Sequence, residues 1–226
     1  MSDRSPSFRR VAEKPDRGEL LTALTTEHFT LQGARSQTMS ESSSRAALFI
    51  GAVSSTLVAL GFLGQLSPGG DTFNAFALTV LPTLYLLGVF TFVRLVECGA
   101  EDFRYGLAIN RIRGYYKQLA GDQADLFLLS GHDDGRGVFA NMGLPAENRS
   151  PLFAFSSAVA VINGVVGGSA VAIALGALLD ASLGPAAAVG ALAALISVVG
   201  WVRYAGRLLD AAAKQTEPLF PSPAAS

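Results

Sequence analysis

Four charge-free, strongly apolar stretches divide the chain: residues 46–70, 72–93, 150–179 and 181–202. They hold 25, 22, 30 and 22 residues respectively. A helix rises about 1.5 Å per residue, so about 20 apolar residues cross the ~30 Å hydrocarbon layer of a bilayer. Each stretch therefore predicts one transmembrane helix, and the short breaks after the first and third predict two hairpins. The third stretch is longer than needed. Pro151 suits its first helical turn, and residues 176–185 are expected to form the loop to the fourth. Pro82, inside the second stretch, removes a backbone donor and predicts a kink, with Thr79 and Thr83 near enough to help satisfy the freed carbonyl.

The polar segments are read from the same periodicities. Residues 1–18 carry two prolines and no apolar core behind their charges, so they are neither a signal peptide nor an ordered element. Between residues 19 and 45, Leu20, Leu24, His28 and Leu31 recur at helical spacing, and no proline interrupts the run into the first span. After the second span, Arg94 and Glu97, then Glu101 and Arg104, stand at pairing distances on a helix that continues outward. Tyr105, Ile109, Ile112, Tyr116 and Leu119 form a heptad-like seam, with Arg104, Arg111, Arg113 and Lys117 on the other side. Such a face suits a coiled coil or a site for anionic lipid or nucleotide. It also suits packing on the chain's own N-terminal helix with the charges solvated, which is the favoured reading. Past Arg203 the helix is expected to persist to about Lys214 and stop at Glu217-Pro218, leaving residues 219–226 disordered. The units are thus 1–18, 19–45, 46–97, 98–149, 150–203 and 204–226. Together they make an all-α protein of four transmembrane helices in two hairpins, with helical extensions.

Composition agrees with a lipid solvent. Half of the 226 residues are apolar, 15% are charged and the mean hydropathy is +0.39, whereas soluble domains carry about 25% charged residues. A net charge of −1 leaves no basic excess to neutralise phosphates, which argues against nucleic acid as a partner. The single Cys98 cannot form an intramolecular disulfide. Arginine outnumbers lysine fourteen to three, the usage of a GC-rich bacterial genome. The seventeen basic residues fall seven before the first span, seven between the second and third, and three after the fourth; both short loops have none. The positive-inside rule then predicts a bacterial plasma-membrane protein with both termini and the middle segment in the cytoplasm.

Several constellations carry possible chemistry. In the third stretch Ser156, Ala160, Gly164, Gly168, Ala172 and Gly176 place a small residue at every fourth position, which lets helix backbones approach closely. The first stretch has a shorter version in Ala47, Gly51, Ser55 and Ala59. Either stripe serves a homo-oligomer or the packing of the four helices themselves; packing is favoured for the first stretch, and the two readings are level for the third. Asn163 lies near the middle of its span, where a hydrogen bond to a neighbouring helix is favoured over a substrate or ion site. No Asp, Glu, Lys, Arg or His lies inside a span, which weighs against a proton-coupled carrier. Residues 130–137, with His132, Asp133, Asp134 and three glycines, match no phosphate loop, calcium loop or zinc spacing and read as a turn-rich loop. No catalytic residue, cofactor or metal site and no small-molecule ligand is identifiable. The hairpins are bounded alike, by Arg45-Ala-Ala-Leu-Phe and Arg149-Ser-Pro-Leu-Phe, as a tandem duplication or a plain arginine–aromatic belt would produce.

Residues 26–32 (Thr-Glu-His-Phe-Thr-Leu-Gln), 45–49 (Arg-Ala-Ala-Leu-Phe), Arg104-Tyr105 and 110–116 (Asn-Arg-Ile-Arg-Gly-Tyr-Tyr) resemble those of uncharacterised bacterial multi-pass membrane proteins. Over residues 19–119 the architecture is also similar to SLATT-type membrane effectors, two spans flanked by cytoplasmic helices. That resemblance implies a pore-forming role in nucleotide-triggered bacterial defence, from which the second hairpin departs. The residues themselves point to a non-enzymatic, self-associating scaffold or sensor with a cytoplasmic helical platform. A channel or pore-forming effector gated from the cytoplasm is the alternative.

Overall fold

The computed structural model describes residues 16–66, 70–143, 154–214 and 217–223. Among the described residues the chain is all-α, 88% helical, with no strand. Helices α1 (Arg17–Leu66) and α2 (Asp71–Ala120) hold 50 residues each, so each is about 75 Å long. A short 3₁₀ turn (Gly121–Leu126) leads to α3 (Gly135–Asn141), and α4 (Ala154–Leu179) and α5 (Leu183–Lys214) form the second hairpin. Four of these helices, α1, α2, α4 and α5, are long and apolar enough to cross a membrane.

The first span and its preceding polar helix are one element. Thr38 and Ser43 donate their hydroxyls to the carbonyls of Ala34 and Ser40, so the polar stretch before the span stays satisfied within the helix. Helix α2 likewise runs from span to extension without a break. The threonines near Pro82 do something other than expected. Thr79 donates to Ala75 and Thr83 to Thr79, both at 2.8 Å, so neither caps the carbonyl that Pro82 leaves free. The loop expected over 176–185 is confined to residues 180–182. Asp180 takes a left-handed conformation (φ 50°) there, and Pro185 lies in the first turn of α5, where its missing amide costs nothing. Pro151, and all but the last three residues of the expected N-terminal tail, lie outside the described residues; Arg17 and Gly18 are already helical.

Helix α2 is the centre of the bundle, touching α1, α4 and α5, while α4 and α5 pack along each other. The shared core joins Phe49 and Val53 of α1 to Leu81, Leu84 and Phe92 of α2, with Val159 and Val166 of α4 closing it. The Phe92 ring lies 5.1 Å from that of Trp201 on α5, a tilted aromatic pair. Outward positions such as Leu57, Phe62, Phe90 and Ile196 stay exposed, as side chains solvated by acyl tails would. The two hairpins are not equal in build: 50 and 50 residues in the first, 26 and 32 in the second.

Candidate functional site

Beyond their spans α1 and α2 continue antiparallel as a two-helix stalk, cross-braced by ion pairs. Arg35 grips Asp102 with two bonds of 2.7 and 3.1 Å, and the Asp102 side chain is only 5% exposed. Nearer the spans, Arg94 donates to both oxygens of Glu41 (2.9 and 3.1 Å) and also to Glu97 and Glu101. Hydrogen bonds from Arg94 and Arg45 hold the Glu41 carboxyl down to about 2, and the bond to Glu41 pushes the Arg94 guanidinium above its usual range. Glu101 thus pairs with Arg94 rather than with Arg104. In the seam, Ile109 and Ile112 are buried, and Tyr105, Tyr116 and Leu119 are half-buried. Tyr116 meets α1 directly, its hydroxyl 3.3 Å from Thr25 Oγ1 and its ring 6.0 Å from that of His28. Packing on the chain's own N-terminal helix is what the structure adopts. Burial, and then the nearby Arg113 charge, lower the His28 pKa.

The segment that follows α5 is not free. Residues 217–223 lie as an extended strap across the loop of residues 130–137, which also starts α3: Asp134 caps that helix by accepting from the Gly137 amide at 2.8 Å. The Asp133 carboxylate, fully buried, accepts from the amides of Phe220 (2.7 Å) and Leu219 (3.0 Å) and from Arg111. Asp134 accepts from the Ser222 amide and hydroxyl at 2.6 and 2.8 Å. Arg111 and Arg136 donate in turn to the carbonyls of Glu217 and Pro223. Expected disorder from residue 219 is therefore corrected for 219–223. Adjacent carboxylates collect three backbone amides, and the three prolines lower the entropy that docking removes. Burial alone would raise the Asp133 and Asp134 carboxyls, but the strap amides, with Arg111 at Asp133 and Gly137 at Asp134, outweigh it and hold both below the usual range.

Underneath, Phe220 lies over Gly114, which in turn lies against Gly131. A Cβ on Gly114 would come within 2.6 Å of Phe220 Cδ2 and 2.7 Å of the Gly131 carbonyl, so both glycines are required by close approach. Buried Asn110 locks the loop by donating to the His132 carbonyl while accepting from Asn141 and Arg113. Of the four basic residues read as a possible lipid contact, Arg111 and Arg113 are thus turned inward. Arg104 is exposed and Lys117 half-buried.

Between the outer half of α1 and α2 is a cleft of about 520 Å³. Leu24 and Leu31 of α1, Leu107 and Ile112 of α2, and Leu219 and Phe220 of the strap form apolar walls. Three charged side chains also line it: Arg104, Arg111 and Glu27.

Inside the bundle, the small-residue stripe of α4 faces α5. A Cβ on Gly164 would come to 2.6 Å of Val198 Cγ2, and one on Gly168 would collide with the Gly190 carbonyl. Ala172 continues that contact on Gly190, whereas Gly176 has only the Ala181 carbonyl nearby, at 3.9 Å. The stripe is spent on intramolecular packing. The α1 stripe reverses its expectation at three of its four positions: Ala47, Gly51 and Ser55 point outward, with nothing near Gly51, while Ala59 is half-buried. Asn163 is fully buried against Gly88 and Phe49, and neither of its amide atoms finds a hydrogen-bond partner. The expected bond between helices is absent there because the faces opposite are glycine and phenylalanine. A polar bridge that does cross the bundle is Tyr85 to Ser197, 3.0 Å.

Among the described residues no cluster of His, Cys, Asp and Glu could hold a metal ion. The chain matches no known family model, no curated protein and no solved structure.

Proposed function

We propose that this chain is a non-enzymatic scaffold or sensor of the bacterial plasma membrane, with both termini and the stalk in the cytoplasm, which self-associates and presents the stalk as its working surface. One observation carries the reading. Helices α1 and α2 pass from span to stalk with no hinge, and the stalk is braced by Arg35–Asp102 and Arg94–Glu41, so spans and stalk move as one body. The orientation follows from the absence of Lys and Arg in both short loops. Self-association is assigned to the outward Ala47–Gly51–Ser55 face, the small-residue stripe left unused within the chain. A pore-forming role of the SLATT kind is disfavoured within one chain, because Phe49, Phe92 and Asn163 fill the interior; conduction would have to run between copies.

Reporter fusions after Lys214 and at Gly70 test the orientation; periplasmic activity of the C-terminal fusion would overturn it. Crosslinking in native membranes tests assembly, and Gly51→Leu should shorten the oligomer ladder while leaving the monomer folded. Ion flux through purified protein in liposomes is expected to be absent, and a conductance above that of empty liposomes would replace the scaffold reading by the pore.

A further inference from the structure

The stalk cleft has the size of a small-molecule site, pockets for such ligands being about 300–1,000 Å³ and mostly apolar with a few polar groups. Its charges are not balanced evenly. Arg111 already faces the buried Asp133, and Arg35 and Arg94 have carboxylate partners of their own. Arg104 is exposed, lines the cleft and takes part in no ion pair with a described residue. Glu27 does not fill that role. Thr25 lies opposite Tyr116 and Arg35 opposite Asp102, so Glu27 falls level with about residue 113. That is nine residues or about 13 Å along the axis from Arg104, and the two side chains form no ion pair.

We propose that this cleft binds a free amphiphile, an apolar chain of roughly ten carbons bearing one carboxylate, with the chain between the α1 and α2 leucines and the carboxylate on Arg104. The ligand comes from the aqueous phase: Arg104 is ten residues beyond Arg94, where the span ends, or about 15 Å out along the helix. A lipid seated in the bilayer does not reach it. Because Leu219 and Phe220 supply one wall, the docked strap strengthens binding. This deepens the sensor reading by naming its ligand class, and since binding is measured apart from assembly, the cleft can fail while the scaffold stands.

The test uses the full chain in lipid nanodiscs, titrated calorimetrically with decanoate below its micellar concentration, with empty nanodiscs as the blank. Saturable binding of one decanoate per chain is expected, with decanol at least about tenfold weaker and decyltrimethylammonium weaker still. Arg104→Ala, an exposed change that leaves the fold intact, should weaken decanoate binding about tenfold, and Arg104→Lys should restore part of it. Ala108→Trp, which fills the cleft from α2, should abolish binding at unchanged unfolding temperature, and deletion of residues 217–226 should weaken it. Glu27→Gln should leave the affinity unchanged or raise it. Binding that is unsaturable, equal for the cationic and anionic probes, or indifferent to both Arg104→Ala and Ala108→Trp would overturn the proposal.

Discussion

Asp133→Asn should release the strap. Three amides, those of Leu219, Phe220 and Ser222, end on the carboxylates of Asp133 and Asp134. Hydrogen bonds to charged groups contribute about 1.5–3 kcal/mol each, so the three together supply about 5–9 kcal/mol. Against this stands the ordering of residues 217–223. Pro218, Pro221 and Pro223 have φ preset, and the four other residues cost about 1–2 kcal/mol each in backbone entropy. Docking is therefore favourable by only a few kcal/mol. Asn at position 133 keeps the shape but removes the charge and one acceptor oxygen, weakening two amide bonds and unpairing Arg111. The side chain is fully buried, so little solvent screening softens the loss. A cost of about 3 kcal/mol corresponds to roughly a hundredfold change in the docking equilibrium. Hydrogen exchange on the protein in nanodiscs reads it directly, because protection of the Leu219 and Phe220 amides should fall by about that factor. Asp125→Asn, an exposed change in the 3₁₀ turn, is the control. Equal protection in the Asp133 variant and the control would refute the assignment of the strap to its carboxylate anchors.

Further outcomes follow from the same geometry. Since the Asp133 and Asp134 carboxyls titrate below their ordinary 3.8, their contribution to docking is present above that value and is lost as pH falls through the lowered folded pKa values. Strap protection should accordingly hold from neutral pH down to about 4 and decline only in stronger acid; loss between pH 7 and 5 would point to another group. Gly168→Leu should destabilise the bundle by at least 1–3 kcal/mol, the usual range for overpacking, because the Gly190 backbone and not a flexible side chain stands in its way. Val165→Leu, at an exposed position, should change the unfolding temperature little; Val166 is buried and would not serve as that comparison. Asn163→Val should raise thermal stability by about 1 kcal/mol, since it removes an amide that has no partner. A loss of 2 kcal/mol or more would mean that the amide is held after all.

The spans, their pairing and the continuity of α1 and α2 were legible in the sequence because lipid leaves an unambiguous record: uninterrupted apolar runs bounded by charge. The end of α5 near Lys214 was legible from the proline at 218, and the packing of Tyr116 on α1 from helical period. What the sequence hid depended on pairs far apart in the chain. Asp133 and Asp134 look like turn residues until residues 217–223 return to them, and nothing near residue 219 marks its amides as acceptor-seeking. The small-residue stripes show the same limit. Spacing identifies a face that permits close approach, but whether α5, another copy or lipid covers it depends on how the helices are rotated, which spacing does not encode. Asn163 is the sharpest instance: its depth was evident, yet its lack of a partner follows from Gly88 and Phe49 standing opposite.

The hinge-free passage of α1 and α2 across the edge of the apolar layer has a mechanical consequence. The 29 residues from Arg17 to Arg45 extend about 43 Å beyond the first span. Spanning helices tilt by about 0–40° to match the thickness of the surrounding lipid. With no joint to absorb it, a change in tilt of about 10° sweeps the far end of the stalk sideways by roughly 7 Å, more than one helical turn. Thickening or thinning of the bilayer is thereby converted, by leverage alone, into a displacement large enough for a neighbouring surface to feel.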